Sequence, residues 1–439
     1  MIDAAVALTT EFDSYEAGRI VVKEALGGIK LKPKLAILAV DSLSRIQYNY
    51  NKVLKGVREE LGSDVTLIGS TANGILVNNR YAFRSVGLML IGGDINIDSS
   101  FNYPESKLDY ENIAKSIYQR SSGLLPKENR FMLMFQDGYK FPPEVFKKQE
   151  MLNMRIISLM SGLVSRFFKK QLDDFKEEGM GLTSAQELLE CLYNKGFDLP
   201  IVGNVATDVR NYESVEFYND QIGDDNIVGV ILSGEGATKF GFGFGAGAES
   251  TGKTLKPTKK IGGFFLKIDG KPALEGFCNA ASIKLESLEQ LRPYGYQNPY
   301  VSLGFREKSN GEEIIHLSGL LTNPNLSNLV TTSFPFNYEI PEEIEIFRSN
   351  IKVLKRTTES AINQAIENIT KPKFLLGFDC FNRAMSYGDM IPEIIEKIDD
   401  TVGKDLPRMI FGAGGEIFGK KDLGYYNNNM TFVTLAGGE

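Results

Sequence analysis

An apolar strand that runs into a glycine turn decides the fold: TLIGSTANGI at residues 66–75. The same pattern returns as PIVGNVATDV at 200–209 and as MIFGAGGEIF at 409–418. Short unbroken apolar runs are typical of strands buried on both faces, and such strands occur in sheets that helices cover. The three copies therefore predict an α/β protein in which one structural unit is used three times.

Each copy stands between two further apolar strands. A strand ending in aspartate comes before it, as KPKLAILAVD (32–41), RFMLMFQD (130–137) and KPKFLLGFD (371–379). A strand ending in small residues comes after it, as VGLMLIGG (86–93), IVGVILSGEG (227–236) and FVTLAGG (432–438). We therefore predict an α/β fold with mixed sheets covered by helices, built from three related β-α-β-turn-β units with a β-rich middle segment.

The units divide the chain into two regions. Residues 1–237 contain two units and a helical insertion at 140–196, and residues 238–439 contain the β-rich segment and the third unit. An apolar stripe in the insertion favours core packing, with a dimer or partner-docking helix as the alternative. The stripe consists of Phe146, Met151, Met154, Ile157, Leu163 and Phe167.

A strand with one glycine face opens the second region. TKFGFGFGAG at 238–247 places its phenylalanines on one face and its glycines on the other, because strand side chains alternate with a period of two. Glycine leaves room for close approach, so we predict that a helix or another backbone packs on that face. A ligand-stacking surface is the alternative.

The composition excludes several classes of function. The chain has 439 residues, 42% hydrophobic and 24% charged, as in ordinary globular proteins. Its net charge is −7, and its basic residues form no block along the chain. We therefore expect that it binds neither nucleic acid nor a membrane surface. One histidine and three widely spaced cysteines predict no metal site, and we expect no cofactor. The few cysteines, and a polar start without a signal-peptide pattern, predict a cytoplasmic protein.

GAESTGKT at 247–254 matches the phosphate-loop pattern GxxxxGK[ST]. That loop binds phosphate only where a helix follows it, because the helix N-terminus supplies the backbone amides. The residues that follow, LKPTKKIGGFFL, include Pro257 and a pair of glycines and predict no helix. We favour a surface loop, with a nucleotide-binding enzyme that uses residues 247–254 as the alternative.

Several short motifs, in order along the chain, resemble those of the FIST family. They are LIGSTANGI (67–75), IVGNVATD (201–208), KIDGKPALEGF (267–277), CFNR (380–383) and FGAGGEIFG with NNNMTFVTL (within 411–435). The resemblance implies a sensory module with an N-terminal and a C-terminal FIST region that binds a small ligand, amino acids among the proposed ones. It also implies a stand-alone member, whose signalling partner is a separate protein. The sequence does not predict the oligomeric state of the chain itself. Some relatives are described as haem-binding nitric oxide sensors.

The chain departs from the family pattern at three places. The C-x-x-R-G stretch keeps Cys380 and Arg383 but has Ala384 for its glycine. The first turn has Ser70 where cysteine is common, and the second has Asn204 for its second glycine. These departures affect the expected ligand more than the expected fold.

The turns supply most of the candidate ligand-binding residues, because α/β folds bind ligands at the carboxyl ends of buried strands. The residues predicted from the turns are Ser70, Thr71, Asn73, Asn204, Thr207, Asp208, Arg210, Gly414, Gly415 and Glu416. If the units pack around a common centre, these residues line one pocket with Arg292 and Arg383, and an arginine that faces carboxylates suits a zwitterionic ligand. Turn formation alone is the competing interpretation, since Ser, Thr, Asn and Asp close turns and cap helices.

Two further residues carry open alternatives. Cys380, also a candidate ligand-binding residue, is predicted to be a buried cysteine. A reactive thiol is the alternative, because Cys380 lies at a strand end three positions before Arg383, a setting that can lower a thiol pKa. His316 is predicted to be a structural strand residue, with a haem ligand in a gas sensor as the alternative. No nucleophile with a base and an orienting group is recognisable, so we predict a non-catalytic protein.

Overall fold

The structure of the protein is a computed structural model. It describes residues 1–44, 46–104, 109–124, 129–138, 185–206, 214–224, 226–261, 264–294, 298–309, 312–322, 330–332 and 340–439. The apolar stripe predicted within 140–196 lies outside the described residues. The structure describes only the last part of this insertion, which contains a helix that begins at Ala185.

The first half of the chain alternates strands and helices. Its elements are β1 (Ile2–Thr9), α1 (Ser14–Gly28), β2 (Pro33–Asp41), α2 (Tyr50–Leu61), β3 (Thr66–Ala72), β4 (Ile75–Val77), β5 (Arg80–Ala82), β6 (Val86–Gly93), β7 (Ile95–Pro104), α3 (Tyr110–Ser122), β8 (Arg130–Gln136), α4 (Ala185–Asn194), β9 (Ile201–Val205), β10 (Glu216–Tyr218), β11 (Gln221–Gly223) and β12 (Asn226–Gly234).

The second half begins with a β-rich stretch and ends with a second alternating part. Its elements are β13 (Lys239–Ala246), β14 (Glu249–Leu255), β15 (Pro257–Ile261), β16 (Phe264–Ile268), β17 (Lys271–Pro272), α5 (Ala273–Ala281), β18 (Val301–Ser309), β19 (Glu312–Ser318), β20 (Leu320–Leu321), β21 (Val330–Thr332), β22 (Ile344–Arg348), α6 (Ile351–Ile366), β23 (Pro372–Cys380), α7 (Phe381–Tyr387), α8 (Ile391–Val402), β24 (Arg408–Ala413), β25 (Gly415–Lys420), β26 (Gly424–Asn428) and β27 (Thr431–Gly438). Two 3₁₀ helices lie at Leu285–Tyr294 and Gly388–Met390.

Three six-stranded sheets share one strand order. The first is β1-β6-β2-β3-β10-β11, the second β7-β12-β8-β9-β25-β26 and the third β13-β27-β23-β24-β4-β5. In each sheet the two central strands are parallel, namely β2 with β3, β8 with β9 and β23 with β24, and their neighbours are antiparallel. The predicted α/β class with mixed sheets is confirmed, and each predicted unit supplies the central strands of one sheet.

Each sheet also contains a hairpin from another unit. The hairpin β4–β5, which follows the first glycine turn, pairs with β24 in the third sheet. The hairpin β10–β11 pairs with β3 in the first sheet, and β25–β26 pairs with β9 in the second. The three sheets are therefore joined in a closed cycle of exchanged hairpins. The predicted boundary at 237/238 falls between β12 and β13, and the division into two regions stays a prediction.

The β-rich middle segment forms two smaller sheets. Their orders are β14-β22-β18-β19 and β15-β16-β21-β20, and β17 pairs with β16. The helix α5 packs on them in a separate apolar core that includes Phe265, Phe277 and Leu303. The glycine turn between β16 and β17 has Asp269 and Gly270 at positive φ, as its Asp-Gly sequence favours.

Polar residues fix where several of the helices begin. The side chain of Asp13 accepts hydrogen bonds from the backbone amides of Tyr15 and Glu16 at the start of α1. Asn49 and Asn350 act in the same way at α2 and α6. Such caps satisfy amides that have no partner within the helix. In the part of the chain that the structure describes, none of the helices has the length and apolar character needed to cross a membrane.

The inner faces of the three large sheets meet in one central core. The ring of Phe135 in the second sheet lies 5.8 Å from that of Phe378 and 5.5 Å from that of Phe411, both in the third. Ile37 and Ile68 of the first sheet belong to the same cluster. The helices lie outside, with α1 and α2 on the first sheet, α3 and α4 on the second, and α6 and α8 on the third.

The glycine face of β13 packs directly on helix α6. A Cβ atom at Gly243 would lie 1.7 Å from the carbonyl oxygen of Ala361, and Gly241 and Gly245 approach the same helix almost as closely. The phenylalanines on the opposite face, such as Phe240, pack against the central core. The prediction that this face admits a helix is therefore confirmed.

Replacing Gly243 with alanine should destabilise the protein. The new methyl group meets backbone atoms of α6, which can yield only by moving the whole helix, so we expect the free energy of unfolding to fall by about 1–3 kcal/mol. Gly27→Ala in α1 is the matched control, because nothing lies within 4 Å of a Cβ there. Urea unfolding measures both; equal stabilities of the two variants would contradict the close packing.

Candidate functional site

Backbone hydrogen bonds bring the three glycine turns together. The amide of Asn73 donates to the carbonyl oxygen of Gly412 at 2.8 Å. The amide of Gly412 donates to the carbonyl oxygen of Gly74 at 2.9 Å. The amide of Gly414 donates to the carbonyl oxygen of Val205 at 2.9 Å. The third turn therefore touches the first and the second. We call this meeting point the junction.

Polar side chains from all three turns and the strand β27 line the junction. The Nδ2 of Asn204 donates a hydrogen bond to the Oγ of Ser70 at 3.0 Å. Asn204 and Glu416 are directly opposite one another in the pairing of β9 with β25. The Oε2 of Glu416 accepts from the Oγ1 of Thr431 at 2.6 Å and from its amide at 3.3 Å. The structure thus brings Ser70, Asn204 and Glu416 together, each at most 1% exposed.

Three buried atoms at these turns have no hydrogen-bond partner among the described residues. They are the Oδ1 of Asn204, the Oε1 of Glu416 and the Nδ2 of Asn73. Buried polar atoms are nearly always hydrogen-bonded, because burying them without a partner is costly. These two acceptor atoms and one donor atom are therefore available to a bound polar molecule.

The other predicted turn residues take part in backbone pairing. The Oγ1 of Thr71 accepts a hydrogen bond from the amide of Val215 at 3.2 Å, at the start of the hairpin β10–β11. Gly415 is the first residue of β25 and lies opposite Val205, so Gly414 and Gly415 belong to the strand pairing. The sequence predicts a glycine turn at Gly414 and Gly415, with no indication of this pairing.

Some predicted residues cannot be placed. Thr207, Asp208 and Arg210 follow β9 directly, and they lie outside the described residues. Arg292 belongs to the 3₁₀ helix Leu285–Tyr294, and its side chain is also outside the description. Their role as ligand-binding residues stays a prediction.

Arg383 is completely buried and bonded within its own unit. Its Nε donates to the Oδ1 of Asp379 at 2.7 Å, and its Nη1 donates to the Oγ1 of Thr357 at 2.9 Å. Its Nη2 donates to the Oγ1 of Thr358 at 2.8 Å and to the hydroxyl of Tyr387 at 3.1 Å. The guanidinium therefore anchors α6 and α7 to the end of β23, an arrangement that the sequence pattern did not reveal.

Two buried carboxyl groups, those of Asp379 and Glu416, interact electrostatically with the guanidinium of Arg383. Burial raises the pKa of Asp379, and the nearby Arg383 partly offsets the rise. Burial also raises the pKa of Glu416 well above its usual range, while Thr431 counteracts the rise through its hydrogen bond and Asp379 adds to it. Glu416 therefore holds its proton at neutral pH more readily than an exposed glutamate.

Cys380 is a buried thiol. Burial raises its pKa well above the ordinary value and Glu416 adds to the rise, while the amides of Met430, Asn382 and Arg383 act in the opposite direction. The interpretation of Cys380 as a buried cysteine is therefore favoured over a reactive thiol, because burial opposes formation of the thiolate.

The strand-ending aspartates of the first two units support the exchanged hairpins. Asp41 accepts hydrogen bonds from the amides of Gly74 at 2.8 Å and Arg84 at 2.6 Å, the two residues that flank the hairpin β4–β5. Asp137 accepts one from the hydroxyl of Ser214, just before β10. Sequence reasoning missed this role, although the recurrence of aspartate at a strand end was the signal for it.

In the third unit this position is taken by Cys380. Asp41 pairs with Ala72 across the parallel strands, and Cys380 pairs with Ala413 in the same way. The prediction that Asp379 is the third equivalent of Asp41 was therefore off by one residue. Because strand side chains alternate, Asp379 points to the opposite face of its sheet, where Arg383 and Tyr387 meet it.

The alternative use of His316 as a haem ligand gains no support. Its ring stacks on Phe305 at 4.7 Å and meets Tyr426 edge-on at 5.0 Å. Its Nε2 lies 2.9 Å from an Oε2 oxygen of Glu307. Burial lowers the pKa of His316, partly offset by Glu307. The imidazole thus fills a contact between β19 and the hairpin β25–β26.

The phosphate-loop pattern lies on a strand. Residues 249–255 form β14, and the next element is β15, so no helix N-terminus faces the loop. The Nζ of Lys253 donates to the Oγ of Ser282 at 2.7 Å. The favoured surface loop was wrong in detail, because most of the segment is a strand, and the helix that a phosphate loop requires does not follow it.

Comparison with known proteins gives one family. A model of the FIST N domain matches residues 34–271, which is more than half of the chain. The match begins just before the buried part of β2 and ends at β17, so it includes the first two glycine turns. No curated protein matches the chain.

Replacing Glu416 with glutamine should stabilise the protein increasingly as the pH rises. A raised pKa keeps the folded carboxyl protonated after the unfolded one has ionised, so the wild type loses stability between about pH 4.5 and its folded pKa, by up to about 1.4 kcal/mol per pH unit. Glutamine still accepts the Thr431 hydrogen bonds but has no proton to lose. Urea unfolding from pH 5 to 8 measures the difference. The exposed Glu396→Gln on α8 is the control; a difference independent of pH would contradict the burial argument.

Proposed function

The chain belongs to the FIST family of sensory domains, and from that premise we propose that it is a cytoplasmic, non-catalytic sensor of a small zwitterionic metabolite such as an amino acid. The ligand binds at the junction, and a separate signalling protein reads the bound state. Thr207, Asp208, Arg210 and Arg292 remain candidate ligands of the same molecule.

The carrying observation is the set of unpartnered buried atoms at the turns. An ammonium group donates only, which suits the acceptor Oδ1 of Asn204 and, when Glu416 is ionised, its Oε1. A carboxylate accepts only, which suits the donor Nδ2 of Asn73. A molecule with both groups satisfies all three atoms, and an apolar ligand satisfies none.

The exchanged hairpins support a signalling role. A ligand at the junction contacts turns that belong to three units, so its binding depends on how the sheets lie against one another. Binding shifts the population only if the ligand has unequal affinity for two arrangements. A partner that contacts more than one sheet can then detect the shift.

A thermal-shift screen against amino acids, small carboxylates, haem and magnesium nucleotides tests the proposal. An amino acid at 100 times its Kd should stabilise the folded state by about 2.7 kcal/mol, which raises Tm measurably. A shift only with haem or only with nucleotides would contradict a zwitterion site at the junction.

Variants locate the site. Asn204→Leu keeps the branching and the number of side-chain heavy atoms but removes the acceptor Oδ1, together with the donor to Ser70. We expect the amino-acid Kd to rise by at least about tenfold, since a hydrogen bond to a charged group contributes about 1.5–3 kcal/mol. Ser302→Ala is the matched control, because the Oγ of Ser302 is also buried and unpartnered among the described residues, but lies in β18. Equal affinity of Asn204→Leu and wild type would exclude the junction as the site.

A further inference from the structure

A second cavity lies on the outer side of the third sheet. It measures about 30 Å³, room for about two water molecules. Helix α8 forms one wall with isoleucines that recur at helical spacing: Ile391, Ile394, Ile395 and Ile398. The hairpin β4–β5 forms the opposite wall with Leu76 and Tyr81. The walls are mostly apolar, with aliphatic and aromatic side chains, and they belong to two different units.

The base of this cavity carries a charged group. Asp379 and Tyr387 line it beside Gly412. The Asp379 side chain is 11% exposed, whereas that of its partner Arg383 is 0% exposed. The Oδ1 of Asp379 accepts from Arg383 and its Oδ2 accepts from Tyr387 at 2.5 Å. A carboxylate has about four lone-pair positions, so it can accept a further donor from the cavity.

The local charges favour a cation. Asp379 and Glu416 are both buried acids, and Arg383 is the one guanidinium that interacts with both of them in the described residues. Burial raises the pKa of Asp379 in spite of Arg383. A second cation beside this carboxylate therefore stabilises its ionised form.

We propose that this cavity binds a short aliphatic primary amine as its ammonium ion, with the nitrogen donating to Asp379 and the carbon chain against the isoleucines of α8. The volume limits the ligand to a few heavy atoms. This site is separate from the junction and needs no ligand there. Because Tyr81 comes from the exchanged hairpin and the isoleucines come from α8, the amine holds the first unit against the third.

Matched probes on the wild-type protein test the charge preference. Ethylamine, ethanol and acetate are short enough for the cavity and have a positive, a neutral and a negative head group at pH 7. We expect calorimetry to give ethylamine a Kd at least about tenfold below that of ethanol, because a hydrogen bond between charged groups exceeds a neutral one. Acetate should not bind. Equal affinities of the amine and the alcohol would overturn the proposal.

Variants test the place. Ile395→Phe fills the cavity from a half-buried position, and we expect it to abolish the ethylamine signal while the protein still melts cooperatively. Ile20→Phe, at a half-buried position of α1 on the first sheet, is the matched control and should bind as the wild type does. Asp379→Asn should lose the preference for the amine over the alcohol. Wild-type binding by Ile395→Phe would show that the amine binds elsewhere and would refute the site.

Discussion

The edge of each central strand pair is the constraint on which the rest of the structure depends. β3, β9 and β24 each have one edge paired with their parallel partner, and the other edge would expose unpaired amides and carbonyls. A hairpin from another unit completes each edge with backbone hydrogen bonds. Since the edge hairpin of every sheet comes from another unit, none of the three sheets is complete without the others. The cycle also forces the glycine turns together, because each borrowed hairpin starts at or near a turn.

The polar junction follows from this closure. Strand interiors face an apolar core, and the chain must reverse where the strands end, so polar side chains collect at the meeting of the turns. Most are satisfied locally, as Thr71 is by Val215. Asn204 and Glu416 are only partly satisfied within the described residues, although both are buried. Sites that keep such costly atoms are typical of binding and recognition.

The α/β class and the positions of the central strands could be predicted, because unbroken apolar runs and a glycine face leave strong local patterns. The hairpin exchange could not, because a three-residue strand such as β4 carries no sign of which edge it completes. The role of Asp379 was mistaken for a similar reason. A shift of one residue moves a side chain to the other face, and only the pairing of Cys380 with Ala413 fixes the register. For Cys380 the sequence left a reactive thiol open as the alternative, because the degree of burial cannot be read from a neighbouring arginine.

The alternation at the end of β23 places the two proposed sites on the two faces of one sheet. Cys380 interacts electrostatically with Glu416 on the junction side, and Asp379 faces Arg383 and the cavity. Asp379 also raises the pKa of Glu416, so charge connects the two faces. Under the two proposals, a cation in the cavity would reduce the negative field of Asp379 and make Glu416 easier to ionise. An ionised Glu416 would in turn be a better acceptor for an ammonium group. Linkage would then make the effect reciprocal, so that a ligand at either proposed site would change the affinity of the other.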